Sequence, residues 1–165
     1  MRLFIASPVV LEDYTALRRD FSDVIEGKWV EEENLHLTWV FLGELPEADT
    51  TVRRMEPLAP LPCPVEIRGL GTFGKPPRIF YAQSREKLLY QQAGKFRKAG
   101  FDLYRFTPHI TLCRIKKIRN YKRFKELKKE YEDKILGEIV PEITLYKSVL
   151  TKERAYYKKI ESVTR

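Results

Sequence analysis

The chain has 165 residues, of which 43% are apolar and 33% are charged, a balance typical of one globular domain with a sizeable core. No apolar run approaches the roughly 20 residues that a helix needs to span a bilayer, so we expect no membrane segment. The net charge of +8 and the pI near 9.4 favour a polyanionic partner such as nucleic acid, although many basic proteins have none.

The N-terminus and the cysteines both indicate a cytoplasmic protein. "MRLFIASPVV" begins like a signal peptide, but the apolar stretch is short and stops at Pro8, so we interpret it as a first strand of the mature chain. Cys63 and Cys113 lie 50 positions apart without a CxxC pairing. This spacing predicts two reduced thiols rather than a disulfide framework.

Hydrophobic periodicity and turn residues predict an alternation of strands and helices. In chain order we expect a strand over 2–7, a helix over 11–27, a strand over 34–43, a helix over 47–59, strands over 65–74 and 78–83, a helix over 85–100, a strand over 108–115, a helix over 120–136, and strands over 142–150 and 154–163. This order predicts an α+β fold. Each half places a helix on either side of one histidine-bearing strand, which indicates two pseudo-symmetric lobes within a single domain, 1–165.

Both histidines of the chain occur in the same local pattern, a strand in which threonine follows two residues later. The stretches are "NLHLTWVFLG", with His36 and Thr38, and "TPHITLCRIK", with His109 and Thr111. Side chains at i and i+2 of a strand share one face, roughly 6.5 Å apart, so each histidine projects beside its threonine.

Strict alternation also assigns the neighbouring side chains to faces. Trp39 and Phe41 should lie opposite His36 and anchor the first strand in the core. On the second strand Cys113 should share the face of His109, and Arg114 should lie opposite it.

Two such pairs that face one cleft would suit displacement at phosphorus. An imidazole transfers protons near neutral pH, and a threonine hydroxyl can donate a hydrogen bond to an anionic oxygen. One histidine would activate the nucleophile while the other protonates the leaving oxygen. The alternative is a pair of core histidines with no catalytic role.

A metal site is a further alternative. His36, His109, Cys63 and Cys113 would form a scattered zinc set, but none of the local zinc spacings and no H-E-x-x-H is present. We therefore predict neither a metal ion nor another cofactor, and we expect Cys113 to be a small buried residue.

"HLTWVFLG" and "HITLCR" resemble the two signatures of the two-histidine (2H) phosphoesterase superfamily, in particular the RNA 2′,3′-cyclic phosphodiesterases known as 2′-5′ RNA ligases. "RLFIA", "ENLHLT", "GLGTFG" and "LYKSVLTKERAYY" extend the resemblance nearly from end to end. It implies two lobes of antiparallel sheet with flanking helices around a central cleft, and metal-independent hydrolysis of RNA 2′,3′-cyclic phosphate ends to 2′-phosphates.

The resemblance also implies roles for individual residues. His36 would be the general acid on the departing 3′-oxygen, and His109 would activate water. Thr38, Thr111 and Arg114 would hold the phosphate. "KERAYY" departs from the family's Gly-Pro turn before a tyrosine, and this departure leaves open whether Tyr157 reaches the cleft.

Two other functions remain open on the sequence alone. The same groups would serve 2′-5′ RNA ligation, by microscopic reversibility, and the basic surface would serve a non-catalytic RNA-binding module. The expected partners are RNA ends or nucleotides that carry a 2′,3′-cyclic phosphate. We expect a monomer, with no membrane association and no obligatory protein partner.

Overall fold

The computed structural model describes residues 1–163, which form two antiparallel sheets flanked by helices. Within those residues there are ten strands and four α-helices. The strands are β1 (Arg2–Leu11), β2 (Ile25–Trp29), β3 (His36–Glu44), β4 (Val65–Arg68), β5 (Leu70–Phe73), β6 (Ile79–Gln83), β7 (His109–Ile118), β8 (Ile135–Ile139), β9 (Ile143–Leu150) and β10 (Ala155–Val163). The helices are α1 (Tyr14–Ser22), α2 (Asp49–Met55), α3 (Lys87–Lys98) and α4 (Tyr121–Glu130).

The larger sheet is built on β1 and has six strands. Its order is β10-β9-β1-β8-β4, and β3 pairs with β1 outside this path. The smaller sheet has the order β2-β7-β6-β5. Each sheet therefore contains one histidine strand, β3 or β7, and these two strands contact each other. The predicted α+β fold with two antiparallel sheets is confirmed.

The helices cover the faces of the sheets that lie away from the histidines. Helix α1 places Phe21 against Phe80 of β6, with ring centroids 4.7 Å apart, and Phe124 of α4 closes the same cluster. On the other sheet, Phe96 of α3 stacks on Trp39 of β3 at 5.4 Å. Both groups belong to one continuous hydrophobic core.

Three strands, β2, β5 and β8, were not predicted as separate elements. Helix α1 ends at Ser22 instead of continuing to residue 27, and β2 begins three residues later. The strand expected over 65–74 is divided into β4 and β5 at Gly69, whose φ of +86° is a conformation that glycine adopts without steric cost. Helix α4 ends at Glu130, and the last residues assigned to it belong to β8. In each case tertiary pairing supplies partners that local periodicity does not reveal.

Candidate active site

The two histidines occupy equivalent places, because each is the first residue of its strand and each sheet contributes one. His36 begins β3 and His109 begins β7. The next residues follow the same burial order in both strands: the histidine is partly buried, the second residue buried, the threonine partly buried, and the following two buried. The expectation that both motifs form similar strands is confirmed.

Each imidazole ring is held by a hydrogen bond to a backbone carbonyl two residues earlier. Nδ1 of His36 donates to the oxygen of Asn34 at 2.6 Å, and Nδ1 of His109 donates to the oxygen of Thr107 at 2.8 Å. Since a carbonyl can only accept, the proton of each neutral ring lies on Nδ1. Among residues 1–163 neither Nε2 atom takes part in a hydrogen bond, so both can take or give a proton.

Aromatic side chains wall each histidine on two sides. The ring centroids of Phe4 and Tyr157 lie 5.3 and 5.2 Å from that of His36. Those of Phe73 and Tyr81 lie 5.0 and 5.7 Å from that of His109. The walls fix both rings and limit the water around them.

The pKa of His36 depends on burial and on the groups around the ring. Burial lowers the pKa of His36 below its ordinary value of 6.5, and the charge of His109 lowers it further, while the hydrogen bond to the Asn34 carbonyl opposes both effects. The charge of His109 acts on His36 because β3 and β7, which carry the two rings, lie in contact.

A β-bulge in each histidine strand changes which side chains share the histidine face. In β3 the partners of Ile5 and Ala6 are Val40 and Thr38, so Trp39 is the extra residue. In β7 the partners of Phe80 and Tyr81 are Cys113 and Thr111, so Leu112 is the extra residue. A bulge of this kind shifts the inside–outside alternation of a strand by one position.

The bulges overturn three face assignments made by strict alternation. Phe41 is not a core anchor: it is 74% exposed, whereas Trp39 is buried. Cys113 does not share the face of His109, because it pairs with the core residue Phe80 and is fully buried. Arg114 instead returns to the histidine side and is exposed.

Arg114 lies close enough to Tyr157, the neighbour of His36, to affect its pKa. Burial raises the pKa of Tyr157 above its ordinary value, and the charge of the Arg114 guanidinium opposes this rise. Tyr157 itself packs edge-on against His36. Tyr157 thus lies against His36 despite the altered turn before it, and the charge of Arg114 from the other sheet acts at the same place.

The turn before His36, at Glu33 and Asn34, is bonded to the β9–β10 hairpin. The side-chain amide of Asn34 donates to the carbonyl of Ala155 at 3.1 Å. Beside it the guanidinium of Arg154 pairs with Glu33 at 3.0 Å. These two contacts fix the carbonyl of Asn34, which orients His36, relative to β10, which carries Tyr157.

The hydroxyls of the two threonines are available to a ligand. Among the hydrogen bonds within residues 1–163, neither Thr38 nor Thr111 takes part in one through its side chain. Thr111 pairs in register with Tyr81, and Thr38 pairs with Ala6. Each hydroxyl therefore lies on the same face of its sheet as the neighbouring histidine.

The candidate metal ligands are dispersed in the part of the chain that the structure describes. No group of three or more His, Cys, Asp or Glu side chains among residues 1–163 is placed to hold a metal ion. Cys63 is exposed, and burial raises the pKa of the Cys113 thiol to about 12. None of the helices between residues 1 and 163 is long and apolar enough to cross a membrane.

Sequence reasoning did not identify four residues of the site. Phe4, Phe73 and Tyr81 wall the histidines, and Asn34 orients one of them. The aromatic residues come from strands whose register is not encoded locally. Asn34 had a signal, since it lies two residues before the strand and is a residue type that favours such turns.

Comparison with known proteins places this geometry in a family. The family model of LigT-like phosphoesterases matches residues 5–81. The RNA 2′,3′-cyclic phosphodiesterase of Methanocaldococcus jannaschii is 31% identical, over 98% of this chain and 99% of the relative. The RNA 2′,3′-cyclic phosphodiesterase of Aquifex aeolicus is 30% identical, over 96% and 92%.

Solved structures share the fold over nearly the whole chain. A crystal structure of a Thermus thermophilus protein superposes with a TM-score of 0.73 at 28% identity, over 99% of this chain and 97% of that one. Escherichia coli LigT, crystallised with 3′-AMP, superposes with a TM-score of 0.69 at 22% identity, over 99% and 98%. The second likeness supports the fold alone.

Proposed function

The chain belongs to the LigT-like phosphoesterase family, and we propose that it hydrolyses RNA 2′,3′-cyclic phosphate ends to 2′-phosphates by acid–base catalysis between His36 and His109. Relatives that match it over more than nine-tenths of its length are RNA 2′,3′-cyclic phosphodiesterases, and the chain is an enzyme of this kind. Its own residues support the two-histidine mechanism, in which no metal ion takes part.

The observation that carries the proposal is that both imidazole rings are hydrogen-bonded in the same way, through Nδ1. In each ring Nδ1–H donates a hydrogen bond to a backbone carbonyl, so the Nε2 atom is the one available for proton transfer. A general base needs a free lone pair and a general acid needs a proton at the same atom. The site offers both functions without any change in ring orientation.

In the proposed reaction Nε2 of His109 accepts a proton from a water molecule as the water oxygen attacks phosphorus. The bond between phosphorus and the ribose 3′-oxygen breaks, and protonated Nε2 of His36 gives its proton to that oxygen. The product carries a 2′-phosphate and a 3′-hydroxyl. The two histidines exchange protons with solvent before the next turnover.

The charge of the substrate supports His36 as the acid. In the free enzyme burial lowers the pKa of this ring and favours the neutral form. The cyclic phosphate carries a negative charge, which favours the protonated imidazole. Substrate binding therefore raises the protonated fraction of His36 when the proton is needed.

Thr38, Thr111 and Arg114 would hold the non-bridging oxygens of the phosphate. The free hydroxyls lie on the histidine faces of the two sheets, and Arg114 is exposed on the face of His109. A guanidinium stays charged throughout the pH range of the enzyme and donates several hydrogen bonds. It would stabilise the charge that develops as the water oxygen adds to phosphorus.

The test is turnover of a short RNA with a 2′,3′-cyclic phosphate in excess EDTA, with product analysis. We expect the wild type to yield only the 2′-phosphate. His36→Gln and His109→Gln should each lower kcat by roughly 10²- to 10⁴-fold, the usual contribution of a general acid or base. The double variant should lose much less than the product of the single losses, because the residues act as a unit.

Lys117→Gln is the matched control, since Lys117 is an exposed residue of the same strand as His109. It should retain the wild-type rate. Either single histidine variant at near wild-type rate would exclude the two-proton mechanism, and loss of turnover in EDTA would exclude metal independence. Unchanged RNA binding without turnover of any cyclic phosphate would indicate a non-catalytic module.

A further inference from the structure

A groove of about 800 Å³ runs along the edge of the smaller sheet, outside the site described above. The ends of strands β4, β5 and β6 form one side, and the C-terminal half of α4 forms the other. Its volume is in the range of ligand-binding clefts in proteins.

The groove reaches the second histidine through two residues of β6. Tyr81 lines the groove and also packs against His109, with ring centroids 5.7 Å apart. Gln83 lines it too, and pairs in register with His109. A polymer bound in the groove would therefore end at β6, the strand next to the one that carries His109.

Two glycines leave room for Tyr81 and Gln83 at the end of the groove nearest His109. A Cβ atom on Gly71 would lie 2.6 Å from the ring of Tyr81, so any side chain there would displace the ring from its place over β5. Gly69 forms the turn between β4 and β5, and a Cβ there would lie 2.9 Å from Nε2 of Gln83. The aromatic wall shared by the groove and His109 depends on the missing side chain at residue 71.

Charged side chains line the groove on the helix side. One side of α4 carries Lys125 and, about one helical turn later, Lys128 and Lys129. Within residues 1–163 none of the three lies within ion-pair distance of a carboxylate. Acidic residues are present as well, but Glu66 is already paired with Arg68 at 2.8 Å. The remaining acidic residues in the lining are Glu86, Glu132 and Asp133.

We propose that this groove binds the nucleotides that precede the cyclic phosphate, so that the preferred substrate is an RNA strand rather than a mononucleotide. The inference rests on the proposed function, and it adds the path of the strand. Among residues 1–163 the three lysines form no ion pair, and Lys125 lies over the ring of Tyr121. A groove with such lysines and an aromatic residue at its catalytic end is the usual arrangement for single-stranded nucleic acid. The three lysines contact the phosphates 5′ of the reacting end.

The test compares two substrates and two triple variants. The substrates are a nucleoside 2′,3′-cyclic monophosphate and a ten-nucleotide RNA with the same cyclic end. The groove variant carries Lys125→Gln, Lys128→Gln and Lys129→Gln. The control carries Lys95→Gln, Lys98→Gln and Lys122→Gln, which removes the same charge from exposed helical positions outside the groove.

The groove variant should keep kcat/KM for the mononucleotide within about twofold and lose at least tenfold for the RNA. Its affinity for the RNA, measured by fluorescence anisotropy, should fall by a similar factor. The slope of log affinity against log salt should decrease by about 2, because three phosphate contacts on single-stranded RNA contribute about 0.7 each. The control variant should keep the wild-type slope and the wild-type preference for RNA.

The anisotropy measurement separates this inference from the proposed function. If neither substrate is turned over, the proposed function fails, while the groove is still judged by RNA binding. Equal RNA affinities of the groove and control variants would overturn the inference, since net charge alone would then explain binding. Equal rates of the wild type on both substrates would overturn it as well.

Discussion

The imidazole of His36 is held by its own strand, by the turn just before it and by a strand from the far end of the chain. Its own strand supplies the ring, the turn at Asn34 supplies the carbonyl that holds Nδ1, and β10 supplies Tyr157 as a wall. The amide of Asn34 joins the last two parts through Ala155. The orientation of a proton-transfer group is thus set by contacts far apart in the sequence.

Burial of His36 predicts a specific dependence of stability on pH. The pKa of His36 is lowered in the folded protein and returns to about 6.5 on unfolding. Between the folded value and 6.5 the unfolded chain binds more protons, so the free energy of unfolding rises with pH in this window. Urea titrations of wild type and His36→Gln should show this rise only in the wild type.

Parallel pH dependences of the two proteins between pH 5 and 7 would contradict this prediction. Imidazole NMR supplies a direct check, and it is simple because the chain has two histidines. In His109→Gln the remaining signal belongs to His36, and its pKa should be higher than in the wild type. The reason is that the charge of His109, which lowers this pKa, has been removed.

At the scale of the element, the bulged strand is the feature that builds the site. A regular strand would send the residue five positions after each histidine to the opposite face. One extra residue between His36 and Phe41 in β3, and one between His109 and Arg114 in β7, bring Phe41 and Arg114 back to the histidine face. The same irregularity at the same place in both strands gives the lobes their similar form.

The bulge in β3 can be tested through stability. Trp39 is 3% exposed and stacks on Phe96, so Trp39→Ala should cost about 3–5 kcal/mol, as for other large core truncations. Phe41 is 74% exposed, so Phe41→Ala should change stability by no more than about 0.5 kcal/mol. Urea denaturation of the two variants measures both effects.

Regular alternation predicts a different result, because both aromatic residues would then face the core. A loss of several kcal/mol in Phe41→Ala would therefore argue against the bulge. A small loss in Trp39→Ala would argue against the described packing of α3 on β3. The two substitutions control for each other, since each removes an aromatic ring from the same strand.

At the scale of the whole molecule, two sheets share one hydrophobic core. The main cluster includes Leu37 and Trp39 from the larger sheet and Phe80 and Leu112 from the smaller one. A cleft formed between two elements of a shared core keeps its geometry as long as the core is intact. This arrangement favours one folding unit with two lobes over two independent domains.

The two tryptophans provide a test of this single unit. Trp29 lies in β2 of the smaller sheet and Trp39 in β3 of the larger one. In Trp29→Phe the remaining fluorescence reports the larger sheet, and in Trp39→Phe it reports the smaller sheet. In each variant the fluorescence and far-UV circular dichroism transitions in urea should coincide, as in two-state unfolding.

Separate midpoints within one variant would show that the lobes unfold independently. The comparison is made within each variant, so any destabilisation by the substitution itself does not affect it.

The sequence by itself determined the fold class and the two histidine strands. It also determined that His36 shares a face with Thr38, and His109 with Thr111. These features were predictable because a period of two residues and the chemistry of histidine and threonine are local properties. Tertiary structure decided the faces of Phe41, Cys113 and Arg114, the place of Tyr157 and the aromatic walls. The physical reason is that a bulge exists only in the register between two paired strands, as between β7 and β6, and that register depends on packing between residues far apart in the chain.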